Sequence, residues 1–173
     1  VGTSAIEIGK QMGAKVIAAA SSDEKLELCK QLGADEVINY STDSLKDKIK
    51  ELTGGKGGDV VYDPVGGDLS EPALRGMAWN GRFLVIGFAA GPIPSVPLNL
   101  ALLKGCSIVG VFWGRFSGEE PEENMNNIDE LWELFNSGKL APTVTETYPI
   151  EEYEAAFNCM MQRRARGKVI LTF

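Results

Sequence analysis

Short β-branched runs, apolar in their interiors, alternate with helical stretches along the chain. These runs cover residues 15–20, 36–39, 59–62, 82–86 and 107–112. Strands without polar alternation are buried on both faces, which is typical of a parallel sheet covered by helices. The alternation therefore predicts βαβ units and an α/β, doubly wound, mainly parallel sheet.

The segments between the runs have the apolar spacing of helices, and Gly13 and Gly33 each follow such a segment as a C-terminal cap would. Helices are expected over residues 4–12, 23–32, 45–52, 69–78, 98–104, 126–137 and 151–163. A last strand is expected over 168–173, and loops are expected over 91–97 and 118–123. No internal repeat interrupts this order.

Charge and composition exclude several classes of function. The net charge of −7 over 173 residues makes nucleic acid and anionic membranes poor partners. No run reaches the roughly 18 consecutive apolar residues of a membrane span. The chain contains no histidine, which excludes a Ser–His–Asp triad and histidine-ligated metals. Three scattered cysteines, Cys29, Cys106 and Cys159, favour a reducing compartment, so we expect the cytoplasm, with the mitochondrion as the alternative.

In a doubly wound sheet, ligands bind at the carboxyl ends of the strands, so the residues after each run are candidates for binding. The chain opens with Val1, Gly2, Thr3 and Ser4 at the start of a helix, which fits either the end of a Gly-rich phosphate loop or a plain helix cap. A phosphate loop would follow a strand that precedes Val1. We therefore expect a sheet whose first strand is missing, in a chain that is a piece of a longer protein.

A serine pair and a lysine follow the run 15–20. Sites for NAD usually place an acidic residue at this strand end to bind the ribose 2′-hydroxyl. Ser21, Ser22 and Lys25 stand there instead and suit a 2′-phosphate, which predicts NADPH as the cofactor. The alternative is a capping box between Ser21 and Glu24, and both interpretations can hold together.

The other strand ends carry aromatic or small residues. Tyr40 follows the run 36–39, where it either contacts the cofactor or simply closes the strand. Gly66 follows 59–62, Phe88 follows 82–86 in a loop of small residues, and Trp113 follows 107–112. Each of these turns alone is an ordinary connection between a strand and a helix. Together they would allow a flat cofactor to lie along the rim formed by the carboxyl ends of the strands.

Several motifs are more specific than this spacing: VINY, TGGKGGDVVYDPVGG, AWNGRFLVIGFAAG, LNLALLKGCSIVGVFWGR and the closing RGKVIL. Through them the chain resembles, from end to end, the zinc-free quinone oxidoreductase (ζ-crystallin-like) branch of the medium-chain dehydrogenase/reductase superfamily. The resemblance implies a Rossmann-type NAD(P)-binding lobe over residues 1–141 and a segment, 142–173, that packs on a GroES-like catalytic domain. It also implies hydride transfer from NADPH to a quinone or an activated alkene, without a metal.

The resemblance implies a role for each candidate residue. It assigns Val1 and Gly2 to the end of the phosphate loop, and Ser21, Lys25 and Tyr40 to the 2′-phosphate of NADPH. The residues that it assigns to the ribose and nicotinamide are Val65, Gly66, Phe88, Val111, Phe112 and Trp113. We assign no catalytic acid or base, because the sequence offers none with a clear role. Because the resemblance places the substrate cleft against the GroES-like domain, we expect the chain alone to be inactive.

Other classes of function compete with this interpretation. A short-chain dehydrogenase needs a lysine four residues after a tyrosine, and Tyr40, Tyr62, Tyr148 and Tyr153 all lack it. A methyltransferase would place an acidic residue at Ser21 and needs an intact Gly loop. The main alternative is a non-catalytic NADPH-binding or structural protein, as the crystallins of this family illustrate.

A homodimer is expected through the strand 106–113, which is the sheet edge in the strand order 3-2-1-4-5-6. This strand is apolar and contains neither proline nor charge, whereas edge strands exposed to solvent usually carry one of these. The resemblance also implies pairing of this strand with its copy. The alternative is that the last helices or a further domain cover the edge.

Overall fold

Seven strands and eight α-helices alternate along the chain in the structure, a computed structural model that describes residues 1–173. In chain order they are α1 (Gly2–Gln11), β1 (Ile17–Ala20), α2 (Asp23–Gln31), β2 (Glu36–Asn39), α3 (Leu45–Leu52), β3 (Gly58–Asp63), α4 (Ser70–Arg75), β4 (Met77–Val85), α5 (Asn99–Lys104), β5 (Ser107–Gly110), α6 (Trp113–Glu119), α7 (Pro121–Asn136), β6 (Val144–Pro149), α8 (Tyr153–Met161) and β7 (Lys168–Thr172). Short 3₁₀ turns at Gly67–Leu69 and Ile150–Glu152 precede α4 and α8.

Every strand pair in the molecule is parallel. β1 pairs with β2, the order β3-β4-β5 forms a second sheet, and β6 pairs with β7 in a third. Helices connect successive strands, as parallel pairing requires. The predicted α/β class with parallel strands is confirmed.

No hydrogen-bonded ladder joins β1 to β3, so the pair β1-β2 and the sheet β3-β4-β5 are separate. Each sheet has its own core. Ile6 of α1 packs with Ala18 and Ala34 on one side, and a cluster around Leu74 and Phe83 forms on the other. β3 presents Val60 and Tyr62 partly exposed, at 46% and 42%. This arrangement matches the predicted vacancy, and the last strand does not fill it, since β7 pairs with β6.

Local chemistry sets the turns between these elements. Gly13 and Gly33 end α1 and α2 with φ of 78° and 96°, the left-handed region in which glycine avoids the clash of a Cβ. Asp35 accepts hydrogen bonds from Lys10 Nζ at 2.8 Å and from the Val16 backbone N–H at 2.7 Å. These two bonds lower the pKa of Asp35 and fix the start of β1 against α1.

Three sequence predictions are wrong in detail. The predicted helix 69–78 ends at Arg75, because Met77 already pairs with β3 as the start of β4. The predicted loop 118–123 is largely helical, since Pro121 begins α7 with two glutamates in its first turn. No strand was predicted at β6, which pairs with the distant β7.

Residues 141–173 form a small C-terminal unit, in which α8 packs on the ladder of β6 and β7. Ala156 and Cys159 of α8 are buried, and all three cysteines are free thiols. Burial raises the pKa of the Cys29 thiol on α2. None of the helices has both the length and the apolar character that crossing a membrane demands.

Candidate functional site

Hydrogen bonds join the turn after β1 to the turn after β2. The Tyr40 backbone N–H donates to the Ala20 carbonyl at 3.1 Å, and the Ser41 hydroxyl donates to the Ser21 carbonyl at 2.9 Å. Asn39 donates to the Asp23 carboxylate at 2.8 Å, which turns that acid toward the β2 turn. Parallel pairing thus brings Ser21 and Tyr40 together at one rim, as predicted.

Ser22, not Ser21, is the N-cap of α2. Its hydroxyl accepts the Lys25 backbone N–H at the long distance of 3.5 Å, and its extended backbone (φ −150°) is typical of a cap. The predicted capping box between Ser21 and Glu24 is therefore wrong by one residue. Because the cap function falls on Ser22, the Ser21 hydroxyl makes no hydrogen bond within the chain.

Lys25 lies in the first turn of α2 and reaches the C-terminal unit. Its ammonium donates to the backbone carbonyl of Arg163 at 3.0 Å, across 138 residues of sequence. Arg163 follows α8 and has φ of 57°, the left-handed region. The run Arg163-Arg164-Ala165-Arg166 therefore begins beside the β1 turn, a placement that the sequence did not predict.

Asp63, the last residue of β3, organises the next turn of the rim. One of its carboxylate oxygens accepts the backbone N–H groups of Val65 and Gly66, both at 2.9 Å. The other accepts the hydroxyl of the buried Ser70 at 2.7 Å, at the start of α4. This side chain holds the Val65-Gly66 turn in place without being a predicted binding residue itself.

Gly66 and Phe88 lie in contact across the ends of β3 and β4. The Ala90 backbone N–H donates to the Val65 carbonyl at 2.8 Å, which joins the two turns. Gly66 has φ of 69°, and a Cβ at this position would lie 2.8 Å from Phe88 Cδ1. Only glycine fits this backbone and contact, so the structure brings together Val65, Gly66 and Phe88 as predicted.

The end of β5 differs from the prediction. The Val111 backbone N–H donates to the Val85 carbonyl at 3.0 Å, which places Val111 at the same rim as the end of β4. The strand ends at Gly110, where β4 offers no further residues to pair, and Trp113 begins α6. The Phe112 carbonyl accepts hydrogen bonds from backbone N–H groups in the first turn of α6. The Trp113 indole N–H donates to the Asn124 side chain on α7 at 3.2 Å.

Val1 and Gly2 stand at the start of α1. Val1 is 74% exposed, and no atom from outside α1 and the chain neighbours of Gly2 lies within 4 Å of the point where a Gly2 Cβ would be. The structure brings neither residue into hydrogen-bond contact with the other predicted site residues.

Of the two main cavities of the molecule, only the smaller one is lined by predicted site residues. A cavity of about 150 Å³ lies behind Phe88, between Phe83 and Ile108, below the several hundred Å³ that small-molecule sites occupy. A larger groove of about 410 Å³ lies between α4 and the proline loop, but no predicted site residue lines it. A cofactor would therefore lie across the turns rather than in a pocket.

The comparisons with known proteins agree on one family. A family model described as "Zinc-binding dehydrogenase" matches residues 1–133. The chain is 43% identical over 159 residues to "Quinone oxidoreductase-like protein 2" of Bos taurus, covering 92% of this chain and 46% of that protein.

Solved structures are similar over the whole chain. Escherichia coli quinone oxidoreductase, described as complexed with NADPH, superimposes with a TM-score of 0.88 at 30% identity, covering 100% of this chain and 54% of that one. A mycobacterial protein, also described as complexed with NADPH, gives a TM-score of 0.90 at 30% identity over 100% and 54% of the two chains. The Rossmann-type lobe is thereby confirmed, and this chain spans about half the length of the curated relatives it matches.

Removing the carboxylate of Asp63 should destabilise the lobe. Asp63→Ala loses three hydrogen bonds to a charged acceptor and leaves the buried Ser70 hydroxyl without its partner, which should lower the free energy of unfolding by about 3 kcal/mol. Asp68→Ala, five residues along and exposed, is the matched control and should change it by less than about 0.5 kcal/mol. Urea unfolding of both variants measures the difference, and equal losses would contradict the role given to Asp63.

Proposed function

The chain belongs to the zinc-binding dehydrogenase family, and from this premise we propose that it is the NADPH-binding lobe of an oxidoreductase. The enzyme would transfer hydride from NADPH to a quinone or an activated alkene, without zinc. The observation that carries the proposal is the β1 turn, where Ser21 and Lys25 occupy the strand end at which an NAD site would carry an acid.

Charge and geometry at this turn support a 2′-phosphate. The Ser21 hydroxyl is unused within the chain, the next residue is the N-cap of α2, and Lys25 contributes a cation from the first helical turn. A dianion gains from a helix N-terminus and from charge-assisted hydrogen bonds. The Asp23 carboxylate, which would oppose a phosphate, is held by Asn39 instead of standing free.

The other turns would hold the ribose and nicotinamide. Gly66 permits close approach of a ligand to the backbone, and Phe88, which is 39% exposed, offers a flat face beside it. Val111 lies at the end of β5, and Phe112 and Trp113 follow it with 75% and 67% exposure. When bound, the cofactor would supply the hydride, and these residues would orient its ring.

Zinc independence is part of the proposal, although the family name mentions zinc. The chain has no histidine, and its three cysteines are free thiols that belong to no metal-binding cluster. A family-type zinc lobe needs four clustered cysteines or histidines. The same reduced cysteines support a reducing compartment, and we propose the cytoplasm.

The second candidate is a non-catalytic NADPH-binding or structural protein. It is favoured by one observation: Asp23, Lys25 and Asp63 at the rim are each engaged in hydrogen bonds within the chain. A longer protein that carries this lobe with a GroES-like domain would reduce a quinone with NADPH if the proposal is right. Binding without turnover by such a protein would favour the second candidate.

The chain by itself should bind NADPH without oxidising it. The resemblance places the substrate cleft between this lobe and a second domain, so the rim alone leaves a quinone unpositioned and the nicotinamide in water. Absorbance at the NADPH band, with a panel of quinones and enones, measures turnover. A full-length quinone oxidoreductase is the positive control. Comparable rates from this chain would contradict the expectation that turnover requires a second domain.

Lys25→Ala should affect the binding of NADPH more than the binding of NADH. Losing one charge-assisted contact to the 2′-phosphate should weaken NADPH binding about tenfold more than NADH binding, because NADH lacks that phosphate. Lys30→Ala, at the exposed far end of the same helix, is the matched control and should leave both affinities as they are. Fluorescence titration measures all four affinities, and equal losses of NADPH and NADH would show that Lys25 acts only on the fold.

We propose further that the protein is a homodimer joined at β5. This strand pairs with β4 on one side only, and it lies at the edge of its sheet. Ile108, Val109 and Val111 are about 40% exposed along that edge, and the strand carries no charge or proline. Edge-to-edge pairing around a twofold axis would satisfy the open backbone groups.

Val109→Lys should convert the dimer to a monomer. A lysine at an edge strand opposes pairing because its ammonium would lose water in the joined sheet. Val144→Lys, an exposed position at the start of β6, is the matched control and should leave the dimer intact. Light scattering gives the mass in solution. A monomeric wild type, or a dimeric Val109→Lys variant, would show that another element covers the edge.

A further inference from the structure

Glu7 is a buried acid on the inward face of α1. Its side chain is only 9% exposed, beside the buried Ile6. One carboxylate oxygen accepts the backbone N–H of Ala141 at 3.1 Å, across 134 residues of sequence. The other oxygen, also buried, meets no hydrogen-bond donor of the chain.

A buried acid at this position lowers the stability of the fold unless the hydrogen bond that it makes stabilises another part of the molecule. Burying a carboxylate with incomplete hydrogen bonding is unfavourable, and an apolar residue of similar size would pack at this position without that cost. The hydrogen bond that Glu7 makes is to Ala141, next to the buried Leu140. The carboxylate therefore holds the connection between α7 and β6 against α1.

Few contacts of this kind hold the C-terminal residues to the rest of the molecule. Two hydrogen bonds join residues 141–173 to residues 1–136: Glu7 with Ala141, and Lys25 with the Arg163 carbonyl. One comes from α1 and the other from α2. These are the two helices whose N-termini face the proposed phosphate groups of the cofactor, and Glu7 is only five residues, about 8 Å, from Gly2 along α1.

We propose that Glu7 is a positioning residue that fixes the start of the C-terminal segment on α1, so that NADPH binding and docking of residues 141–173 reinforce each other. The inference rests on the proposed function, because it takes α1 and α2 as the cofactor-binding helices. Two sites that share rigid elements in this way are linked reciprocally: whatever orders one favours the other.

Amide hydrogen exchange on the 173-residue chain tests the proposal, in the wild type, Glu7→Gln and Glu7→Met, each with and without NADPH. Glu7→Met removes the acceptor at similar size, so the Ala141 amide should exchange about tenfold faster and NADPH should bind several-fold more weakly. Glu7→Gln keeps a carbonyl oxygen for the Ala141 N–H and should restore both values. Glu27→Met, the same change at an exposed site on α2, is the matched control.

The wild type provides a test that depends on no variant. Saturating NADPH should slow exchange at the amides of both Ala141 and Arg163, because binding to α1 and α2 stabilises the docked segment. Unchanged exchange at these amides when NADPH is bound would overturn the linkage, as would wild-type affinity in Glu7→Met. An equal rise in exchange throughout α1 and β1 would show a general structural role instead.

The failure of the proposed function gives a different result. If the wild type does not bind NADPH, the cofactor assignment and the linkage both fail. The effect of Glu7→Met on the Ala141 amide then still decides whether the carboxylate fixes the segment, since that comparison needs no cofactor.

Discussion

Parallel backbone pairing is the constraint from which the site follows. In a parallel ladder all carboxyl ends point the same way, so the turns after β1 and β2 meet at one rim, and so do those after β3, β4 and β5. Hydrogen bonds between the turns then fix their shapes, as Asp63 does for Val65 and Gly66. A surface made of turns and helix N-termini is suited to an extended anionic ligand even in a chain with a net charge of −7.

The same pairing leaves edges that the molecule does not cover. No ladder joins β1 to β3, β5 is open on its outer side, and the small sheet of β6 and β7 has only one covering helix. Apolar residues lie exposed at these places, including Val60 and Phe112. The docking of the C-terminal unit through Glu7 and Lys25 is similarly slight. Association with further protein is the physical expectation for surfaces of this kind.

The sequence predicts the parts that depend on local patterns. Strand β2 and helix α3 have the predicted bounds, because β-branched runs and apolar spacing report directly on neighbouring residues. The role of Asp63 was not predicted, although an Asp-Pro-x-Gly sequence suits a side chain that accepts backbone N–H groups. Strand β6 was missed because its sequence, VTETYP, contains two threonines, a glutamate and a proline in place of the apolar run that marks the other strands. The contacts of Lys25 with Arg163 and of Glu7 with Ala141 span more than 130 residues, so only the folded chain reveals them.

We propose that the β1 turn holds the 2′-phosphate of NADPH while the β3 and β4 turns hold its nicotinamide end. A crystal structure of the chain with NADPH bound would show both ends of the cofactor at once. We expect the 2′-phosphate within hydrogen-bond distance of the Ser21 hydroxyl and the Lys25 ammonium, with the nicotinamide ring against Gly66 and Phe88. A phosphate bound elsewhere, such as the groove between α4 and the proline loop, or a reversed cofactor with adenine at Phe88, would contradict it.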